Sequence, residues 1–147
     1  RFDLSYIDNE GNKQIPVVIH RAILGTFDRF TAFILEETKG ALPLWLSPTQ
    51  ICVIPVNNNY HLEYAKEIND LLLANNIRVK LDDRDEKLGY KMREAQMQKI
   101  PFTLVIGDKE KENNTVTYRK YGDDKQIEIN KEDFIEMLNY MIKNKER

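Results

Sequence analysis

Ile51-Cys52-Val53-Ile54-Pro55-Val56 is a continuous apolar run followed by three asparagines. A half-exposed strand alternates apolar and polar side chains, whereas an unbroken run of this length fits a parallel strand buried on both faces. Phe102-Thr103-Leu104-Val105-Ile106-Gly107 has the same character, and between them Ile77-Arg78-Val79-Lys80-Leu81 alternates its charges outward. Helical patterns separate the three. Asn57-Asn58-Asn59 supplies caps for a helix carrying Tyr64, Ala65, Ile68, Leu71 and Leu72 on one face, which Asn75-Asn76 ends. A second helix is expected from about Lys87 to Lys99. Right-handed crossovers then make the first three strands parallel. Thr115 to Arg119 and Gln126 to Ile129 predict two further strands around a turn at Gly122. A last helix, with Asn130 as its cap, turns Phe134, Ile135, Leu138 and Met141 inward. The expected fold class is α/β, a five-stranded mixed sheet flanked by helices, over residues 47–147.

Upstream the pattern differs. Phe2, Leu4 and Tyr6 alternate with polar residues, Asp8 to Asn12 is a turn cluster, and Pro16-Val17-Val18-Ile19 begins a second strand. Together they predict an antiparallel hairpin. A helix follows from about Thr26, with Phe27, Phe30, Phe33 and Ile34 at helical spacing, Thr26 as cap and Gly40 as stop. Ala41 to Pro48 reads as a proline-bracketed linker, and its Trp45 is expected to pack at a domain junction. The boundary is placed between residues 46 and 47. The chain starts on a strand at Arg1, without an initiator Met, which suggests a piece of a longer protein.

The 147 residues are 41% hydrophobic and 31% charged, enough for a true core. The net charge of −2 excludes a global basic field, so any RNA contact must come from a local patch. Cys52 is the only cysteine, which rules out a disulfide within the chain and suits a reducing cytoplasm; inside a buried strand it is expected to be inert. No apolar run approaches the roughly 20 residues of a membrane span, and no signal-peptide pattern is present. The absence of a Gly-rich phosphate loop after Val56 counts against a flavodoxin-like enzyme.

Two stretches could carry chemistry. In Ile19-His20-Arg21-Ala22-Ile23-Leu24-Gly25-Thr26-Phe27-Asp28-Arg29-Phe30, an arginine occupies a helix's first turn, where the dipole prefers anions. Arg29 therefore either pairs with Asp28 or Glu36, or meets a nucleotide by phosphate pairing and stacking. His20 is either a packed, hydrogen-bonded imidazole or a metal ligand. The second stretch, Arg78 to Lys99, holds seven basic residues with five acidic ones among them. Such a mixture is either a solvated helix face with i,i+4 ion pairs or a rim for single-stranded RNA. Lys87, Tyr90 and Lys91 cluster where a strand's C-terminal edge meets a helix start, the usual ligand edge of an open α/β sheet.

The first of these stretches resembles motif 3 of class II aminoacyl-tRNA synthetases. His20-Arg21-Ala22 and Pro43-Leu44-Trp45-Leu46-Ser47-Pro48 are similar to the threonyl-tRNA synthetase family within that class. The resemblance implies that residues 1–46 end an antiparallel-sheet catalytic domain and that residues 47–147 form a class IIa anticodon-binding domain. It places Arg29 on the adenine of ATP, near the terminal phosphate, with Gly25 and Thr26 lining the adenylate site; Asp28 stands where the motif usually has Glu. Magnesium would accompany ATP as substrate. His20 would be one of three protein ligands of an active-site zinc, the others being an upstream Cys and His. Zinc's open position would take the amino group and hydroxyl of threonine. One imidazole holds zinc weakly, so residues 1–147 by themselves are expected to be metal-free.

By position, Asp85, Lys87, Arg93, Glu110 and Arg119 match family residues that contact anticodon bases or their backbone. Asp85 stands where the family commonly has Asn, and ionised Asp accepts but cannot donate. Motifs 1 and 2 do not occur, so no catalytic residue is assigned and the isolated piece is expected to be inactive. The implied parent activity is a ligase that activates threonine with ATP and attaches it to tRNA(Thr), whose anticodon carries G and U at its second and third positions. The parent would be a cytoplasmic homodimer through its catalytic domain, and this piece a monomer away from membranes. The reading from a different class is a non-catalytic tRNA-binding or regulatory module on the same fold. His20 and Arg29, which such a module would be free to lose, argue against it.

Overall fold

The computed structural model describes residues 3–146, so the expected strand position Phe2 lies outside it. The chain divides into two compact units, Arg1–Phe33 and Ile34–Arg147.

In the first unit, β1 (Tyr6–Ile7) pairs antiparallel with β2 (Lys13–Gln14), Tyr6 opposite Gln14. Asp8 builds the turn. One carboxylate oxygen accepts from the N–H groups of Glu10 at 3.0 Å and Asn12 at 2.8 Å, and the other from Gln14 Nε2 at 3.0 Å. The Gln14 amide, followed by these backbone donors, holds the Asp8 carboxyl below its usual range. The hairpin expected from the sequence is therefore present, but its second strand is displaced. Pro16–Ile19 is irregular, and Val17 and Ile19 are 89% and 87% exposed. The Asp8 turn fixes the register early, so pairing ends at Gln14. Pro16 has no N–H to donate, and among the described residues no third strand pairs with this sheet.

α1 spans Phe27–Glu37, preceded by Thr26, whose Oγ1 accepts from Arg29 N at 3.4 Å. After the helix the chain turns at Gly40, with φ +76°, and Gly40 N donates to Leu35 O at 2.9 Å. A left-handed residue at this position suits glycine, which has no Cβ to clash.

The second unit contains β3 (Ile51–Pro55), α2 (Asn58–Ala74), β4 (Val79–Leu81), α3 (Leu88–Met97), β5 (Phe102–Ile106), α4 (Asp108–Asn113), β6 (Thr115–Lys120), β7 (Gln126–Asn130) and α5 (Lys131–Lys143). The sheet order is β4-β3-β5-β6-β7. β3 is parallel to both β4 and β5, while β6 and β7 run antiparallel as a hairpin. This is the mixed five-stranded sheet expected from the two apolar runs. α4 was not expected: Asp-Lys-Glu-Lys-Glu-Asn has no apolar side to reveal a helix. α3 is shorter than expected, because Lys87 is its N-cap and Lys99, at φ +55°, lies beyond its end.

Strand alternation sorts the side chains onto two faces. Ile51, Val53, Phe102, Leu104, Ile106, Val116 and Tyr118 share the larger core with Tyr64, Ala65, Ile68 and Leu72 of α2 and Phe134 and Leu138 of α5. Phe102, Tyr118 and Phe134 meet ring to ring, with centroids 5.1 to 6.1 Å apart. On the opposite face Cys52 and Ile54 pack under α3 with Ala95, Ile100 and Met92. Farther along that face, β6 and β7 carry Thr117, Arg119, Gln126 and Glu128, opposite in phase to the buried Val116 and Tyr118.

The linker is held to the sheet by polar contacts. Gln50 is buried; its Nε2 donates to Leu44 O at 2.9 Å and its Oε1 accepts from Arg78 N at 2.8 Å. Arg78 donates to the carbonyls of Ser47 and Trp45. Trp45 is half-buried, with Lys145 Nζ 5.7 Å from its ring centroid. Among the described residues no helix is long and apolar enough to cross a membrane.

Candidate nucleic-acid interface

The parallel strands β3, β4 and β5 deliver the N-termini of α2, α3 and α4 to one edge of the sheet. In an open α/β sheet this carboxyl edge is where ligands bind. The loop from Asp82 to Lys87 lies there between β4 and α3, and Glu110 in the first turn of α4.

Five of the seven cations between Arg78 and Lys99 are engaged within the protein. Arg78 donates to the linker carbonyls, Lys80 to Gln98 Oε1 at 3.3 Å, and Lys99 to the carbonyl of Lys39. Arg84 grips Asp82 with two prongs, Nε to Oδ1 at 2.8 Å and a terminal nitrogen to Oδ2 at 2.6 Å, and also reaches Glu94 Oε2 at 2.7 Å. Lys91, expected at the exposed rim, is instead 2% exposed, with Nζ donating to the Asp82 carbonyl at 3.1 Å. Its helical position turns it under the loop rather than outward. Lys87 and Arg93 are exposed and make no side-chain hydrogen bond or ion pair among the described residues. Asp85 is likewise exposed and unpartnered.

Asp82 sits at the centre of this arrangement. The Arg84 hydrogen bonds hold its carboxyl below the usual range, against burial, which pushes it up. Arg84 is raised above the ordinary guanidinium value by the same pair and by Glu94.

Glu110 is positioned by two bonds: Oε2 accepts from Gly107 N at 2.8 Å and Oε1 from Thr117 Oγ1 at 2.6 Å. Each oxygen keeps a second acceptor direction. Arg119 follows Thr117 by two positions on β6, on the same face and about 7 Å along the strand. Its Nε donates to Asp123 O at 2.8 Å and a terminal nitrogen pairs with Asp124. Thus Glu110 and Arg119 are brought to one side of the sheet, the side on which α3 carries Lys87 and Arg93. His61 of α2 fastens α4. It is buried, its Nδ1 accepts from Asn57 N at 3.1 Å, and Nε2 lies 2.9 Å from Asp108 Oδ1, so the ring proton belongs on Nε2. No sequence periodicity signals that contact, because its partner is 47 residues away.

The remaining candidates lie in the first unit. His20 is exposed in irregular chain. Among the described residues no cluster of three or more His, Cys, Asp or Glu could hold a metal, so the residues present do not by themselves make a zinc site. Gly25 adopts φ +77°, and a Cβ there would meet nothing within 4 Å, so backbone conformation rather than space calls for glycine. Arg29 is exposed, and neither Asp28 nor Glu36 pairs with it among the described residues.

Comparison with known proteins gives a consistent result. The family model of the anticodon binding domain matches residues 50–140. The chain is 51% identical over 145 residues, 99% of its length, to a threonine–tRNA ligase of Oceanobacillus iheyensis. It is 56% identical over 135 residues, 92% of its length, to a threonine–tRNA ligase of Staphylococcus carnosus. It spans 22% and 21% of the length of those two relatives. The solved RNA binding domain of threonyl-tRNA synthetase from Cryptosporidium parvum Iowa II matches 95% of this chain and 35% of its own, with a TM-score of 0.78 and 35% identity. The chain belongs to the anticodon binding domain family and resembles, within it, the domain carried by threonine–tRNA ligases.

Proposed function

We propose that residues 47–147 read the anticodon loop of a threonine tRNA through Lys87, Arg93, Glu110 and Arg119, with Asp85 beside them. The observation that carries this reading is the pairing pattern of Arg78 to Lys99: the engaged cations build the fold, and the two left unpaired, Lys87 and Arg93, face solvent on one side of the sheet. Single-stranded loops are recognised by stacking and by hydrogen bonds to exposed base edges. Lysine and arginine donate to base acceptors or phosphate, and the Glu110 carboxylate accepts from base amino or imino groups. Binding is expected to be weak and salt-sensitive, since few phosphates are met.

The same reading assigns the larger protein the ligase reaction, in which threonine is activated with ATP and attached to tRNA(Thr) in the cytoplasm, by a homodimer. Residues 1–46 would be the end of its catalytic domain. Arg29 would lie on the adenine, with Gly25 and Thr26 beside it and magnesium accompanying the nucleotide. His20 would supply one zinc ligand, the others coming from outside residues 1–147; bound zinc would act as a Lewis acid toward threonine. The exposed, unpaired Arg29 guanidinium supports this assignment. Motifs 1 and 2 do not occur in the sequence, so the isolated chain is expected to be inactive, and it is expected to be monomeric.

Titration of the isotopically labelled chain with an anticodon stem-loop tests the proposal. Amide shifts gathered on Lys87, Arg93, Glu110 and Arg119 and their neighbours are the expected result. Shifts confined to the α2 and α5 side of the sheet would overturn it.

A further inference from the structure

The backbone between Asp82 and Arg84 is held by side chains that the reading above does not use. Three successive carbonyls are engaged. Asp82 O accepts from Lys91 Nζ of α3 at 3.1 Å, while Asp83 O and Arg84 O accept from Asn58 Nδ2 of α2 at 2.6 and 3.4 Å. The Arg84 carbonyl also accepts from Glu86 N at 3.0 Å. From inside the same loop, the Asp82 carboxylate binds the Arg84 side chain and lies 3.4 Å from its N–H. Asp82 and Lys91 are both buried, although ionised side chains rarely are. Lys91 has three donors, and a carbonyl is its only hydrogen-bond partner among the described residues. Asn58 Oδ1 is itself buried without a hydrogen-bond partner among the described residues.

A buried cation and a half-buried amide, both directed at main-chain oxygens of one short loop, are costly if the loop only needs to connect a strand to a helix. Two donors from two different helices remove the freedom of that backbone on both sides. The side chains that leave it, Asp83, Asp85 and Lys87, are exposed. A loop ordered in advance loses less entropy when its side chains engage a ligand.

We infer that Asn58 and Lys91 are positioning residues that pre-order the Asp82–Lys87 loop, so that Asp85 and Lys87 meet RNA bases in one fixed arrangement. The inference rests on the anticodon reading above. Its consequence is specificity: loosening the loop lowers affinity for the matched anticodon more than for a loop with changed bases, because electrostatic attraction persists while base geometry is lost.

The decisive variant is Asn58→Asp, with Asn58→Ala as its neutral companion. Asn58 is the first residue of α2, where an added carboxylate favours the helix dipole. The Asp variant loses the donor and sets a carboxylate against the Asp83 and Arg84 carbonyls, a repulsion that the helix dipole offsets only in part. Thermal melting, backbone relaxation of residues 83–87, and binding of matched and base-substituted anticodon stem-loops are read together, with Lys87→Ala as a control. The expected result is that both Asn58 variants still melt cooperatively, with the Asp variant at a lower midpoint, and that order parameters of residues 85–87 fall from about 0.85 toward 0.6. Both variants are expected to cut the matched-to-mismatched affinity ratio by about tenfold. An unchanged loop, or matched and mismatched affinities falling in equal proportion, would overturn the inference even where Lys87→Ala weakens binding. If Lys87→Ala also has no effect, the anticodon surface itself is misassigned. Lys91→Met tests the second anchor with the same readouts and is expected to reproduce the loss of discrimination.

Discussion

Glu110 accepts the hydroxyl proton of Thr117 at 2.6 Å with one carboxylate oxygen, while the other accepts the N–H of Gly107 at 2.8 Å. The residue thus joins the end of β5, the first turn of α4 and the face of β6 that bears Arg119. Replacing it with alanine orphans both donors. Glu110→Ala is expected to cost about 1–3 kcal/mol in urea unfolding. Glu110→Gln, which keeps an acceptor for one of them, is expected to cost about 1 kcal/mol while still weakening RNA binding. Equal stability of wild type and the alanine variant would remove Glu110 from the framework.

Acid titration addresses the buried Asp82. Its folded-state carboxyl is held below the unfolded value by the Arg84 hydrogen bonds, so its stabilising contribution is complete above about pH 4. It is lost as pH falls further, through the folded-state value, because the unfolded chain binds the proton first. Circular dichroism is expected to show stability that declines below about pH 4. In Arg84→Met the overall stability drops, and the acid-dependent component attributable to Asp82 shrinks. A variant with an unaltered acid limb would assign that limb to other carboxyls.

Cys52 provides a probe of the sheet interior. Burial, followed by the nearby Asp82 charge, pushes its thiol up to about 11. At pH 8 on the order of one thiol in a thousand is ionised, and the thiolate is the reactive form. The native protein is expected to resist a disulfide reagent for hours and to titrate one thiol promptly in denaturant. Rapid modification of the native chain would show that α3 opens from this face.

The sequence exposed what periodicity can express and concealed what depends on distant partners. The runs at Ile51 and Phe102 announced buried parallel strands, and Asn57, Gly40 and Asn75 marked helix ends by their own local chemistry. The second strand of the first unit is displaced because Val17, Val18 and Ile19 have strand character but no strand to pair with among the described residues, while Asp8 closes the turn sooner. α4 was hidden by its wholly polar composition. At the candidate interface, Lys87, Lys91 and Arg93 read alike in the sequence as basic residues around one helix. Only the fold separates an outward cation from one that holds the Asp82 carbonyl. Gln50 and His61 are similar cases: one is a buried amide bridging the linker to Arg78, the other a buried ring tied to Asp108, and neither partnership has a sequence spacing that could reveal it.

The most direct test measures how tightly the chain binds a stem-loop carrying the threonine anticodon, across a range of salt, for wild type, Lys87→Glu and Arg119→Glu. Each reversal is expected to weaken binding about tenfold or more and to reduce the slope of log affinity against log salt by about one where a phosphate contact is lost. Binding by both reversals with wild-type affinity and wild-type salt slope would contradict the assignment of this side of the sheet as the surface that reads RNA.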